Sequence, residues 1–289
     1  MPHGRDDVDA IERSVLAAIA RDDAVDAFAL LFLLRRFLAT GRDDLNEALG
    51  VALAAALTRH ERDSSVPDRS AWLRLFAEAL SVSDDERLAD AARTLVLSLQ
   101  HEWGLPIDEV ERTATSLDAC LQTAAFPDAR ALVAEAVDRL EQLVACAYRP
   151  GSGMRGGFAD QVRAASALLT AYELSGRLPY SMLAEELMQT ARREECRDFV
   201  LNCEAARVLC RLAVLHADEE YRAAAVIAPG VDYRAEAERL LAAQSAEANL
   251  RGAGAGIYAL AVLELESAGS SSSTQANLKS IKSNLKSEI

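Results

Sequence analysis

Two short stretches of the chain gather residue types that can do chemistry. The first runs Gly151-Ser152-Gly153-Met154-Arg155-Gly156-Gly157-Phe158-Ala159-Asp160-Gln161. Its glycines let backbone approach a ligand closely. Arg155 can hold an anionic group, Phe158 can stack on a sugar face, and Asp160 and Gln161 can bond polar groups. The competing reading is a plain interhelical turn in which Asp160 is a structural cap. A nucleotide-type phosphate cradle needs a preceding strand and, in the P-loop, a lysine, and neither is present. The second stretch is His101-Glu102-Trp103. The histidine can act as a base near neutral pH, and the indole can stack on a sugar ring. Against this stands a helix-end histidine favoured by the helix dipole, with the tryptophan as packing. His216 ends a helix in the same way.

Other groups read more simply. The acidic run Asp84-Asp85-Glu86 with Asp90 resembles a carboxylate cluster for a metal, but its place at a helix start is explained by capping and dipole. The five cysteines, Cys120, Cys146, Cys196, Cys203 and Cys210, form no Cys-x-x-Cys pair. An odd number without that spacing argues against a disulfide framework and a zinc ribbon. Each lies in an Ala/Leu-rich stretch, where a free thiol serves as a small core residue. No nucleophile elbow occurs. No metal and no cofactor are expected.

The formal net charge is −14, and no basic stripe offsets it. Such a surface repels a phosphate backbone, so no nucleic acid is expected as a partner. The polar N-terminal residues 1–9 do not read as a signal peptide. The longest apolar run, residues 27–34, is too short for a bilayer and is closed by Arg35 and Arg36. A cytoplasmic location without membrane contact is therefore expected.

The end of the chain is written differently. Its three lysines are Lys279, Lys282 and Lys286, and every earlier basic residue is arginine. A Ser-rich run precedes them, which is a linker signal. The division is thus a helical domain over 1–268 and a linker with an appended tail over 269–289. Leu278, Ile281 and Leu285 nevertheless have helical spacing, so a docked, partner-binding helix is the alternative reading of the tail.

What must position the candidate residues is a set of helices. Ala, Leu, Arg and Glu dominate, all good helix formers, and aromatics are only 5%. The pattern predicts helices over 25–39, 43–58, 69–81, 84–102, 128–148, 161–175, 181–197, 200–216, 232–246 and 253–266, with a weaker one near 9–20. No strand is expected. Polar turns near residues 40–44, 81–85, 125–128, 175–180 and 216–221 recur at roughly 40–50 residues, the period of helix-pair repeats. Gly41 and Gly176 suit left-handed helix ends, and Asp43, Ser83, Asp128 and Asp218 suit helix starts. Helices before the turns are apolar nearly all round, as in residues 28–38 and 164–172. Those after them are amphipathic. An inner and an outer layer of antiparallel hairpins follows, the arrangement of an all-α, α/α-toroid fold, closed or open.

Gly156-Gly157-Phe158-Ala159-Asp160 resembles the "GGF-x-D" loop of α/α-toroid proteins, and Ala171-Tyr172-Glu173-Leu174-Ser175-Gly176-Arg177 resembles their hairpin turn. Residues 148–266 look like the six-hairpin half of bacterial thioredoxin-domain proteins related to spermatogenesis-associated thioredoxin-like proteins. That half is similar to the N-acylglucosamine 2-epimerase fold. The resemblance implies a pocket at the hairpin mouths. It does not carry an activity over: the thioredoxin Cys-x-x-Cys is missing, and none of His3, His60, His101 and His216 matches the paired catalytic histidines of the sugar epimerases. The expected function is a non-catalytic or remnant domain binding a small molecule or protein. The alternative is a carbohydrate epimerase or isomerase with an axial pocket. Oligomeric state is not set by these residues. Far-UV circular dichroism should show strong helix and little sheet, and a clear β-signal would overturn the fold reading.

Overall fold

The computed structural model describes residues 2–63, 65–104, 109–126, 129–228 and 230–269. The cap expected at Asp128 and the tail from residue 270 onward lie outside the described residues. Within them the chain is all-α, as its composition and periodicity lead one to expect. The helices are α1 (Pro2–Ala20), α2 (Ala27–Thr40), α3 (Asp43–Arg59), α4 (Val66–Leu80), α5 (Glu86–Gln100), α6 (Val110–Leu121) and α7 (Ala129–Ala147). After a hairpin of β1 (Tyr148–Arg149) and β2 (Gly153–Met154) come α8 (Phe158–Ser175), α9 (Leu178–Ala191), α10 (Phe199–Ala217), α11 (Glu219–Ala224), α12 (Tyr233–Arg251) and α13 (Gly256–Ala268). The hairpin corrects the strand-free expectation: Tyr148 pairs with Met154 and Arg149 with Gly153. No helix among the described residues is long and apolar enough to cross a membrane.

The helices form two layers. In the inner one, α2, α4, α6, α8, α10 and α13 each pack on the next, and α13 packs back on α2 to close the circuit. In the outer one, α3, α5, α7, α9 and α12 each pack on the inner helix that precedes them, while α1, from the other end of the chain, packs on α13. Sequence character follows the layers. From Ala29 to Leu34 every residue of α2 is buried, and so is every residue of α8 from Gln161 to Ala165 and from Ala167 to Tyr172. The outer helix α7 buries only Ala129, Ala136, Leu140, Leu143 and Ala147, a stripe at helical spacing.

Helix ends match the turn chemistry in part. Gly41 and Gly176 take φ of 65° and 70°, the left-handed conformation that ends α2 and α8. Asp218 caps α11 by accepting from the Glu220 and Tyr221 amides. Two expected starts shift. Asp85 rather than Ser83 caps α5, accepting from the Arg87 amide, while Ser83 Oγ accepts from the amide of Asp85. Arg42 holds the cap position of α3, and Asp43 falls in its first turn.

The main correction is α6, which none of the expected helices covers. Its residues Thr113, Thr115, Ser116 and Asp118 are poor helix formers, and all are buried. Val110, Ala114, Leu117 and Leu121 nevertheless stand at i, i+4, i+7 and i+11, and they pack α6 between α4, α7 and α8. Tertiary packing outweighs propensity here.

Closure depends on one glycine. A Cβ on Gly256 at the start of α13 would overlap the Ala29 backbone and lie 2.7 Å from the Phe28 carbonyl carbon in α2. Gly256→Ala should force the two helices apart and cost about 1–3 kcal/mol in urea unfolding. Gly50→Ala in α3, where an added Cβ meets nothing within 4 Å, should be neutral or up to about 1 kcal/mol stabilising. Equal effects at the two sites would show that closure does not rest on this contact.

Candidate functional site

The Gly-rich loop folds onto itself. Gln161 is 1% exposed, and its amide is spent on β2: Oε1 accepts from the Met154 amide at 2.8 Å and Nε2 donates to the Met154 carbonyl at 2.7 Å. Asp160 accepts from the Gly157 amide at 2.8 Å and from the Glu111 amide at 2.9 Å, so it caps α8 and ties α6 to it. Phe158 is half-buried against the core. Arg155 is exposed, and its backbone amide donates to the Ala147 carbonyl at 2.8 Å. The loop brings these four residues together, with the carboxylate of Asp160 and the amide of Gln161 bonded to backbone of the loop and of α6. The cap reading of Asp160 is the one the geometry matches.

His101 and Trp103 separate. His101 is exposed, whereas Trp103 is 5% exposed and presents no face for a sugar. Between them Glu102 is buried and paired with Arg69 at 2.6 Å and Arg112 at 2.7 Å. His216 is not a simple helix-end histidine either. Its Nε2 lies 2.9 Å from Oε1 of Glu185, which is fully buried and also accepts from the hydroxyls of Tyr221 and Tyr233. This knot joins α9, α10, α11 and α12.

Of the cysteines, Cys120, Cys203 and Cys210 are buried as expected, and burial pushes the thiols of Cys120 and Cys203 up to about 12, so they stay protonated. Cys146 is exposed and Cys196 sits half-buried after α9, so these two depart from the core-residue expectation. Among the described residues no group of three or more His, Cys, Asp and Glu side chains could hold a metal ion.

A cluster that sequence reasoning missed lies at the centre of the inner layer. A cavity of about 50 Å³ is lined by α4, α6, α8 and α10, with Arg74, Arg163, Arg207 and Arg211 facing Asp118 and Glu204. Asp118 is 1% exposed and is held from two neighbouring helices: it accepts from Arg74 Nη2 of α4 at 2.8 Å, and from Thr170 Oγ1 at 2.6 Å and Ser166 Oγ at 2.7 Å of α8. Burial alone would raise its carboxyl, yet Arg74 and Arg211, with the two hydroxyls, hold it below the usual range. Arg211 bonds Glu173 at 3.0 Å and Thr170 Oγ1 at 3.0 Å, and Arg163 bonds Glu204 at 3.0 Å and also Glu111. A second level joins α2, α4, α10 and α13. Arg35 bonds Glu78 at 2.9 Å and Glu264 at 2.6 Å, and Arg207 bonds Glu264 at 2.8 Å. Against the cost of burial, Arg207 and Arg35 hold the Glu264 carboxyl at about 2.

Arg74 is the strained member. Burial pulls its guanidinium below the usual value; Asp118 supports the charge, and Arg207 and Arg211 repel it. Its Nε is buried with no hydrogen-bond partner. The signal for this cluster was legible in principle, since arginines inside apolar helices are costly unless paired. Arg207 and Arg211 stand at i and i+4 of α10, on one face.

Two expected outcomes follow. Asp160→Asn keeps shape but weakens two charge-assisted bonds, so it should cost about 1–2 kcal/mol in thermal or urea unfolding; an unchanged melt would return the residue to a binding role. Glu264 has a folded value below its unfolded one, so its contribution is full above about 4.5 and is lost as pH falls towards 2. Glu264→Gln leaves Arg35 and Arg207 short of a partner and should cost about 3 kcal/mol at neutral pH. It should also flatten the fall in stability between those two pH values, and an acid-unfolding curve parallel to the wild type would contradict this assignment. Comparisons of the chain with known protein families, with curated proteins and with solved structures found no match.

Proposed function

We propose that the chain is a non-catalytic binding domain of α/α-toroid type, whose ligand is a small oxyanion held at the centre of the inner layer. The observation that carries this reading is the environment of Arg74. Four arginines line the central cavity against two carboxylates, and Arg74 feels both Arg207 and Arg211 while its Nε lacks an acceptor. An anion in the cavity would offer that acceptor and offset the repulsion between like charges. The cavity volume of about 50 Å³ holds a few water molecules or an ion of phosphate size and no sugar ring.

The same lining speaks against the epimerase alternative. Proton transfer at a sugar carbon needs a base of suitable affinity, and neither histidine, cysteine nor tyrosine lines the cavity. Asp118, depressed below the ordinary carboxylate range, is a weak base. The arginine and carboxylate side chains are engaged with one another, which suits a charged guest exchanged for water rather than a reacting substrate. A location inside the cell rests on the polar N-terminal residues and the short apolar runs of the sequence, and an association with thioredoxin-domain proteins rests on the toroid resemblance alone.

The test is thermal unfolding in inorganic phosphate, with sodium chloride at equal ionic strength as reference. Phosphate should raise the melting temperature by about 2–4 °C at saturation, and Arg74→Met should remove that increment whatever it does to the starting stability. An equal rise in sodium chloride, or an increment retained by Arg74→Met, would overturn the proposal.

A further inference from the structure

A concavity larger than the central cavity lies away from the centre. A groove of about 790 Å³ opens in the outer layer between α5 and α7. Leu80, Val96, Leu97, Phe126 and Leu132 line it, and Leu97 is 64% exposed. With Leu80, Val96, Phe126 and Leu132 beside it, Leu97 is part of a contiguous apolar surface rather than a single exposed side chain. The rim is acidic. Asp84, Asp85 and Glu86 stand at the start of α5 and Glu135 on α7. Asp85 is paired with Arg87, and the lining cation Arg93 is paired with Asp90. Asp84, Glu86 and Glu135 form no ion pair among the described residues.

The chain carries one segment with the complementary pattern. Leu278, Ile281, Leu285 and Ile289 stand at i, i+3, i+7 and i+11, which on a helix is a single narrow stripe. Lys279, Lys282 and Lys286 repeat at i, i+3 and i+7 along one flank of that stripe. All the lysines of an acidic chain are thus set beside its last apolar stripe. Apolar floor and acidic rim meet apolar stripe and basic flank, the pairing by which an amphipathic helix lies in a groove.

The position of the last described helix supports an intrachain fit. The C-terminal halves of α2, α4 and α13 meet through Arg35, Glu78 and Glu264, so these helices end on the same face of the circuit. The turn from α4 into α5, which carries Asp84 and Asp85, opens on that face too. Only α2 stands between α13 and α4, and neighbouring axes are about 8–10 Å apart. Extended, the span from Gly269 to Asn277 reaches about 30 Å.

We propose that residues 278–289 dock as a basic amphipathic helix in the groove between α5 and α7 of the same chain, with the apolar stripe on Leu97 and the lysines against the acidic rim. This is independent of any ligand at the central cavity. It also reads the tail as a self-docking element rather than an appended end.

The lysine distribution supplies the experiment. A lysine-specific endoprotease can cut the native full-length chain only after Lys279, Lys282 and Lys286. Cleavage after Lys286 should be at least about tenfold slower in the wild-type chain than in Leu97→Asp or in Ile281→Asp, as expected when cutting follows opening of the docked state. The first substitution changes an exposed side chain and the second lies in the segment itself, so neither should disturb the melting temperature of the body. Raising salt to about 0.5 M should speed wild-type cleavage, because the rim contacts are screened. Wild-type cleavage as fast as in both variants would overturn the proposal. So would protection that Leu97→Asp leaves intact, which would place the segment elsewhere. Protection that grows with protein concentration would assign the segment to a second copy and overturn the intrachain form.

Discussion

Buried guanidinium–carboxylate pairing is the constraint on which the inner layer depends. Six inner helices meet around a centre where an apolar plug would serve stability at least as well, yet they present arginines and carboxylates there. A charge taken out of water is costly unless its partners are placed almost ideally. That placement comes from different helices in every case: Asp118 of α6 receives bonds from α4 and α8, and Glu264 of α13 receives them from α2 and α10. No pair is local in sequence, and the Arg35–Glu264 pair forms only when α13 meets α2 and the circuit is closed. Closure in turn requires α13 to approach α2 to backbone contact, which Gly256 permits. The glycine and the ion pairs are two halves of one constraint.

The layers were legible in the sequence because burial on one side or on all sides leaves a pattern. α2 and α8 read as inner helices from their apolar runs, and α7 as an outer helix from its stripe. Gly41 and Gly176 read as helix ends because left-handed backbone favours glycine strongly. What failed to show was α6, and the reason is the same network. An inner helix facing a charged centre must carry polar residues on one face. Thr115 and Asp118 line the cavity, while on the other side of the helix the Ser116 hydroxyl bonds the Thr113 carbonyl, and the four together erased the apolar signature that α2 and α8 retain. The residues that made α6 unreadable as a helix include the ones that make it chemically informative.

Candidate residues met a similar fate. Asp160, Phe158 and Gln161 were singled out for residue type, and type alone does not distinguish a ligand contact from a backbone clamp. The amides of Gly157, Glu111 and Met154 make backbone clamps of Asp160 and Gln161, and two of these contacts lie within seven residues. In contrast, Arg74, Arg163 and Arg211 are scattered over 137 positions of numbering and share a cavity only through the fold. Their one local mark was a charge inside a helix otherwise apolar. Arg35 gave that mark by ending the apolar run of α2, and it proved to be the hub between Glu78 and Glu264.

The outer layer shows what happens where such constraints are absent. Outer helices stand farther from the centre than inner ones, so they must either widen their contacts or leave gaps. Between α9 and α12 the gap is filled. The extra helix α11 brings Tyr221 beside His216 and Tyr233, and Glu185, fully buried, accepts from all three. A buried carboxylate is tolerable there because several donors converge on it. Between α5 and α7 no comparable knot occurs among the described residues, and the groove floored by Leu80 and Phe126 lies open with Leu97 at its side. One joint is closed by polar convergence and the other is left apolar and rimmed with acid. A small, aromatic-poor chain fills its centre with paired charge and its outer seams with whatever each joint can supply, polar convergence at one and open apolar surface at the other.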